Sequence, residues 1–180
     1  MTFDRKKFRE LILYIAERSD DDPRFGATKL NKILYFSDFK AFGLFGRPIT
    51  GATYVRLDRG PVPREILHEL REMETAGDIR RERRHYFNYV QKRVRARRQS
   101  EADEVLSAQE RTLVDSVIDE LRQLSASDVS ALSHLELGWQ VAADREEIPY
   151  ETAYISDRQP TAREMALFHE RVTRRASRSR

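Results

Sequence analysis

Four histidines, His68, His85, His134 and His169, are the first side chains to test for chemistry, because imidazole serves both as general base and as metal ligand. They lie far apart in sequence and none falls in an HExxH pair, so a metal site would have to be assembled from scattered ligands. The seven glycines form neither the GxxxxGK phosphate loop nor GxGxxG, and no GxSxG elbow holds a serine nucleophile. Adjacent carboxylates such as Glu146 and Glu147 occur, but 30 acidic residues produce such pairs by chance. With no cysteine, thiol nucleophiles, CxxC redox pairs, cysteine-ligated zinc and disulfides are excluded. These patterns predict a protein that is not an enzyme and carries no cofactor and no metal.

What remains is ionic. The 180 residues carry 33 Lys and Arg against 30 Asp and Glu, a formal charge of only +3, yet the distribution is lopsided. Residues 80–98 hold nine basic groups (Arg80, Arg81, Arg83, Arg84, Lys92, Arg93, Arg95, Arg97, Arg98) against the single acid Glu82. Residues 99–170 hold 16 acids against 5 bases, and the last ten residues contain five arginines. Aromatic residues interleave with the first basic block at His85, Tyr86, Phe87 and Tyr89, as in proteins that grip phosphates and stack on bases. The competing reading, and the favoured one, turns the aromatics to the core and leaves the arginines as a solvated or partner-facing surface, balanced by the acidic fourth helix. Arg174–Arg180 reads as a solvated helix end. Elsewhere, Arg59-Gly60-Pro61-Val62-Pro63 joins a permissive backbone to two rigid φ angles, a turn suited to presenting Tyr54, Arg56 and Arg59. The same turn could merely end a strand and start a helix, and both readings stay open. Trp139, after Gly138, reads as a core plug.

The elements that must position these groups are mostly helical. Phe8, Leu11, Ile12 and Ile15 share one face of a first helix that stops near Ser19. Thr28 caps a second, with Leu30, Ile33 and Leu34 on one face and Tyr35, Phe39 and Phe42 on another, which makes it central; Gly43 is its expected stop. Thr53–Leu57 reads as a strand, and Pro61 and Pro63 precede a third helix with core face Ile66, Leu67, Leu70 and Met73, closed by Gly77. Asp78–Arg83 and Tyr86–Val94 then read as a hairpin with Arg83-Arg84-His85 near its turn and Asn88 within its second strand, a layout loosely like a winged helix. Ser107 and Glu110 form a capping box for a fourth helix bearing Leu113, Val114, Val117, Ile118, Leu121 and Leu124. Ser127 caps a fifth with Val129, Leu132 and Leu135 that ends at Gly138, and Thr161 with Glu164 opens a sixth with Met165, Phe168 and Val172.

Leu, Ile, Val and Phe make up about a quarter of the chain, enough to build one core, and the length suits one domain. The fold class expected is mainly α with a small β element (α+β), a single compact multi-helix domain with a β-hairpin inserted after the third helix. The start of the chain, Met1–Lys7, lacks the apolar core of a signal peptide, and no apolar run is long, so a cytoplasmic protein without a membrane partner is expected.

Three stretches in order, Thr28-Lys29-Leu30-Asn31-Lys32-Ile33-Leu34-Tyr35, Leu44-Phe45-Gly46-Arg47-Pro48-Ile49-Thr50-Gly51-Ala52-Thr53-Tyr54 and Arg59-Gly60-Pro61-Val62-Pro63, followed by Leu132–Trp139 and Ile148–Ala153, resemble the Panacea domain of SocA-like antitoxins and phage-associated proteins. The resemblance covers about residues 5–155. It implies a mainly helical bacterial or phage domain acting as the antitoxin of a toxin–antitoxin system, binding its cognate protein toxin, with residues 1–160 as the antitoxin domain and 161–180 as a C-terminal helix and Arg-rich tail. It also implies an alternative, an adaptor that delivers the toxin to an AAA+ protease. A winged-helix-like DNA-binding regulator is the rival from the residues themselves. The expected partner-binding set is Tyr54, Arg56, Arg59, Gly60, Pro61, Arg83 and Arg93; nucleic acid at the basic hairpin and a homo-oligomer are further partner classes left open.

Overall fold

A computed structural model of the chain describes residues 1–86 and 89–155, with Ala162 and Ala166. Its elements in order are α1 (Arg5–Arg18), α2 (Ala27–Phe45), β1 (Tyr54–Val55), β2 (Val62–Pro63), α3 (Ile66–Thr75), β3 (Ile79–Tyr86), β4 (Tyr89–Ala96), α4 (Ala102–Val105), α5 (Ala108–Arg122), α6 (Ala126–His134), α7 (Leu137–Val141) and a 3-10 turn (Tyr150–Ile155). The molecule is mainly helical with two small antiparallel sheets, β1 with β2 and β3 with β4, so the expected class holds. The expected sixth helix and the Arg174–Arg180 tail lie outside the described residues apart from Ala162 and Ala166, and so do Phe87 and Asn88.

Helix α2 is the axis. It buries Leu30, Ile33, Leu34, Tyr35, Phe36, Phe39 and Phe42, and α1, α5, α6, β2, β4 and the 3-10 turn all pack against it. Apolar residues on two faces demand neighbours on both sides, and here they have them. The helix does not stop at Gly43: it runs on to Phe45 and ends at Gly46, whose φ of 71° is the left-handed geometry that releases a helix end. Its start is likewise at Gly26 and not at Thr28, and no side chain caps it.

Helix α5 begins at the expected Ser107–Glu110 capping box and buries Leu113, Val114, Val117, Ile118 and Leu121. For α6 the cap is Ser125, not Ser127, because Asp128 stands three residues on and returns a bond to the Ser125 N–H. Helix α6 stops at His134, and Gly138 and Trp139 belong to a separate short helix α7. Two apolar residues assigned to core faces are exposed, Leu67 at 63% and Leu135 at 72%. The expected strand Thr53–Leu57 shrinks to two residues. Short helix α4 has no counterpart among the expected elements.

The β3–β4 ribbon pairs Ile79 with Ala96 through to Tyr86 with Tyr89, so Arg83-Arg84-His85 lie inside a strand and the ribbon is longer than expected. The charges near its root are balanced, but not by the acidic fourth helix. Arg95 pairs with Asp20 and Glu82, Arg81 with Glu74, and Arg98 with Glu10 and Asp78. The α5 acids go instead to α1 and α2, as Glu110 to Lys7, Asp115 to Arg18 and Glu120 to Lys40.

Candidate functional site

The loop from Arg56 to Pro61 joins β1 to β2 at the edge of the α2 core. Strand β1 is held on both sides: Tyr54 pairs with Pro63 in β2, and Arg56 N–H donates to Glu146 O (2.9 Å) while Arg145 N–H donates to Arg56 O (2.8 Å). From below, Lys32 of α2 donates to Pro61 O at 2.9 Å with its side chain 1% exposed. Gly60 lies directly over that ammonium with a φ of 94°; a Cβ there would stand 2.7 Å from Lys32 Nζ and collide with Ser133 Oγ. Gly60 is therefore required twice, by backbone angle and by close approach. Burial alone lowers the Lys32 pKa to about 7.

The loop meets α6 and α7 through Trp139. Its indole N–H donates to Leu57 O at 3.0 Å, the His134 ring stacks on it with centroids 3.9 Å apart, and the Arg56 guanidinium lies 4.5 Å from its ring centroid. Arg56 Nε also donates to Trp139 O at 3.1 Å, so the cation is fixed both by its donor and by the ring face. Trp139 is half-buried and not the full core plug expected. His134 Nε2 is buried and has no hydrogen-bond partner among the described residues; burial, with Lys32 nearby, lowers its pKa and favours the neutral ring. Leu135 and Val141, close to the stack in sequence, and Arg59, on the same loop as Arg56, are all exposed. Arg59 lines a shallow cleft of about 420 Å³ with Thr28, Asn31, Lys32 and Arg145.

The expected site residues therefore divide. Arg56, Arg59, Gly60 and Pro61 come together as supposed, with the two charged side chains reaching the surface and Gly60 and Pro61 buried beneath them. Tyr54 does not join them: it is 1% exposed, and its hydroxyl donates to Asp38 at 2.9 Å within a cluster of Tyr35, Phe39 and Tyr150 rings. Asp38 is itself fully buried, accepting also from the Thr50 N–H (2.8 Å) and the Thr50 hydroxyl; burial raises its pKa against these bonds. Arg93 is also internal. At 2% exposure it donates to the carbonyls of Ser19, Asp20 and Asp22, and its strand position puts it on the opposite face of the ribbon from Arg83, which is exposed. The two cations expected to act as a pair thus cannot share a partner surface.

Sequence reasoning put Leu135 in the core, did not single out Val141 and undervalued Trp139. The signal was there in Gly138: a Cβ on it would fall against Ile148 Cγ2 and the Thr152 side chain, so the α7 backbone docks tightly against the 148–152 segment. No helix among the described residues is long and apolar enough to cross a membrane. The family described as antitoxin SocA-like, Panacea domain, matches residues 30–140, more than half of the chain. No curated protein and no solved structure matches it.

Proposed function

Because the chain belongs to the SocA-like antitoxin family of Panacea domains, we propose that it neutralises a cognate protein toxin by direct binding, with no chemistry of its own. The toxin meets the Arg56–Pro61 loop and the α6–α7 corner. The observation that carries this placement is the Arg56–Trp139–His134 stack, a pre-ordered Arg and Trp platform with exposed Leu135 and Val141 close to it in sequence and exposed Arg59 on the same loop as Arg56. Arg and Trp are the types that anchor interfaces, and a side chain already held in place loses little entropy on binding.

Co-expression with the neighbouring toxin gene tests the role, and purified binding tests the surface. Arg59→Ala, at an exposed position, is expected to leave the melting temperature unchanged while weakening toxin affinity by about thirty-fold, the equivalent of about 2 kcal/mol. Full neutralisation and unchanged affinity in that variant would place the contact surface elsewhere. Failure of the wild-type chain to relieve toxicity would remove the antitoxin role.

A further inference from the structure

We propose that the distal half of the β3–β4 ribbon binds duplex DNA through its phosphates, using Arg83, Arg84 and Lys92. The ribbon has two different halves. At its root four cations are spent inside the molecule: Arg93 on the Ser19, Asp20 and Asp22 carbonyls, Arg95 on Asp20 and Glu82, Arg81 on Glu74, and Arg98 on Glu10 and Asp78, while Arg80, 3.6 Å from Glu82, and Arg97 are exposed. These bonds fix the ribbon to the α1–α2 loop and to α3. Gln91 adds to the anchor, packing against Gly26 and donating to Pro23 O.

Beyond the root the chemistry changes. Residues 83–92 contain Arg83, Arg84, His85 and Lys92 and no acid. The register sets Arg83 opposite Lys92 and His85 opposite Val90 on one face, with Arg84 on the other face beside Gln91. Arg83, Arg84, His85, Val90 and Lys92 are all exposed. Successive same-face residues on a strand are about 7 Å apart, so this end is a narrow two-stranded ribbon carrying closely spaced, exposed cations.

Two partner classes, a protein and a nucleic acid, could use such an edge, and the absence of any acid from residues 83–92 favours the polyanion. A protein interface draws its affinity from desolvated apolar and aromatic anchors, with rim charges adding little. The described side chains of this edge supply Val90, 56% exposed, and the exposed cations Arg83, Arg84 and Lys92, and in sequence the segment between them adds Tyr86, Phe87 and Tyr89. Phosphate binding needs no apolar centre, since released counterions supply the affinity, and the major groove of a duplex, about 12 Å wide, admits a two-stranded ribbon. The proposal is independent of toxin binding, which lies on the Arg56–Pro61 loop and the α6–α7 corner.

The test measures the full chain against a short random-sequence DNA duplex by anisotropy over a salt series. Three phosphate contacts contribute about −2.7 to the slope of log affinity against log salt, equivalent to an affinity loss on the order of forty-fold for a fourfold rise in salt. The triple variant Arg83→Ala, Arg84→Ala, Lys92→Ala is expected to lose that share of the slope while melting as the wild type does. A companion variant, Arg83→Lys with Arg84→Lys, keeps the charges and is expected to keep the slope. An unchanged slope in the triple variant overturns the proposal, as does absence of duplex binding by the wild type at low salt. A triple variant that binds duplex normally but associates slowly with the toxin overturns it too, and reassigns the edge to an acidic protein surface.

Discussion

Lys32 carries an amine into the core and gives it one strong acceptor, the Pro61 carbonyl. Burial holds its pKa near 7, against an ordinary value of 10.5, so between about pH 7 and pH 10 the folded chain binds fewer protons than the unfolded chain. Stability therefore rises with pH across that window and falls as pH drops through 7. Above about pH 10 the Lys32 contribution levels off and is opposed by Tyr35, Tyr54 and Tyr150, whose raised pKa values keep protons that the unfolded chain releases, so stability then falls with pH. Urea denaturation at stepped pH values measures this: the wild type is expected to gain stability from pH 7 to pH 9.5, and Lys32→Met to lose most of that gain. Equal slopes in both would remove Lys32 as the titrating group. The sequence pattern made Lys32 visible as part of a motif but not as a buried strut, since a lysine in a helix is ordinarily solvated. The same blindness applied to Tyr54. A tyrosine before an Arg-Gly-Pro turn has the composition of an interface anchor, and only the burial of Asp38 between the two apolar faces of α2 reveals that its hydroxyl is committed inward.

At the level of elements, the apolar period of 3.6 and the capping boxes located α1, α2, α3, α5 and α6, because those signals are local. Their ends were less legible where two residues of the same type compete. Gly43, the expected stop, and Gly46, three residues on, are the same residue type, and only backbone geometry separates them. Gly43 lies inside α2, where a Cβ would meet Ala153 O at an ordinary 3.9 Å, whereas Gly46 has a φ of 71°. Gly43→Ala is thus expected to stabilise by up to about 1 kcal/mol, and Gly46→Ala to destabilise by about as much. Thermal melts of the two variants shifting the same way would contradict this assignment of the helix end. The hairpin shows the other limit. Alternation predicted that half its cations would point inward, but which half depends on register, and register is set by the long-range contacts of Arg93 with the α1–α2 loop. Arg93→Ala leaves three main-chain carbonyls without that donor and is expected to cost about 3 kcal/mol, against less than about 0.5 kcal/mol for Arg83→Ala at the exposed end. Denaturant midpoints decide between these positions, and equal effects would mean that Arg93 does not anchor the ribbon.

Across the whole molecule, the motifs that identify the family are mostly internal ties. Lys29 reaches Asp22 and the Arg122 carbonyl, Lys32 reaches Pro61, and Tyr54, Thr50 and Asp38 close on one another. Such residues specify a framework, and they leave the choice of partner to the positions that stay on the surface. The two surfaces proposed for this chain are tied to different parts of that framework. The Arg56–Trp139 platform is fixed to β1, α6 and α7, and the cationic edge is fixed through Arg93 to the end of α1. No described bond runs directly between Arg59 and the 83–92 segment, and mutational effects at well-separated sites add when they share no partner. Arg59→Ala is therefore expected to weaken toxin binding with the duplex salt slope intact, and the Arg83, Arg84 and Lys92 triple variant to flatten the slope with toxin affinity intact. Measuring both ligands on both variants closes the square. If each variant impairs both ligands, the toxin and the duplex compete for one surface, and the chain releases one partner when it takes the other.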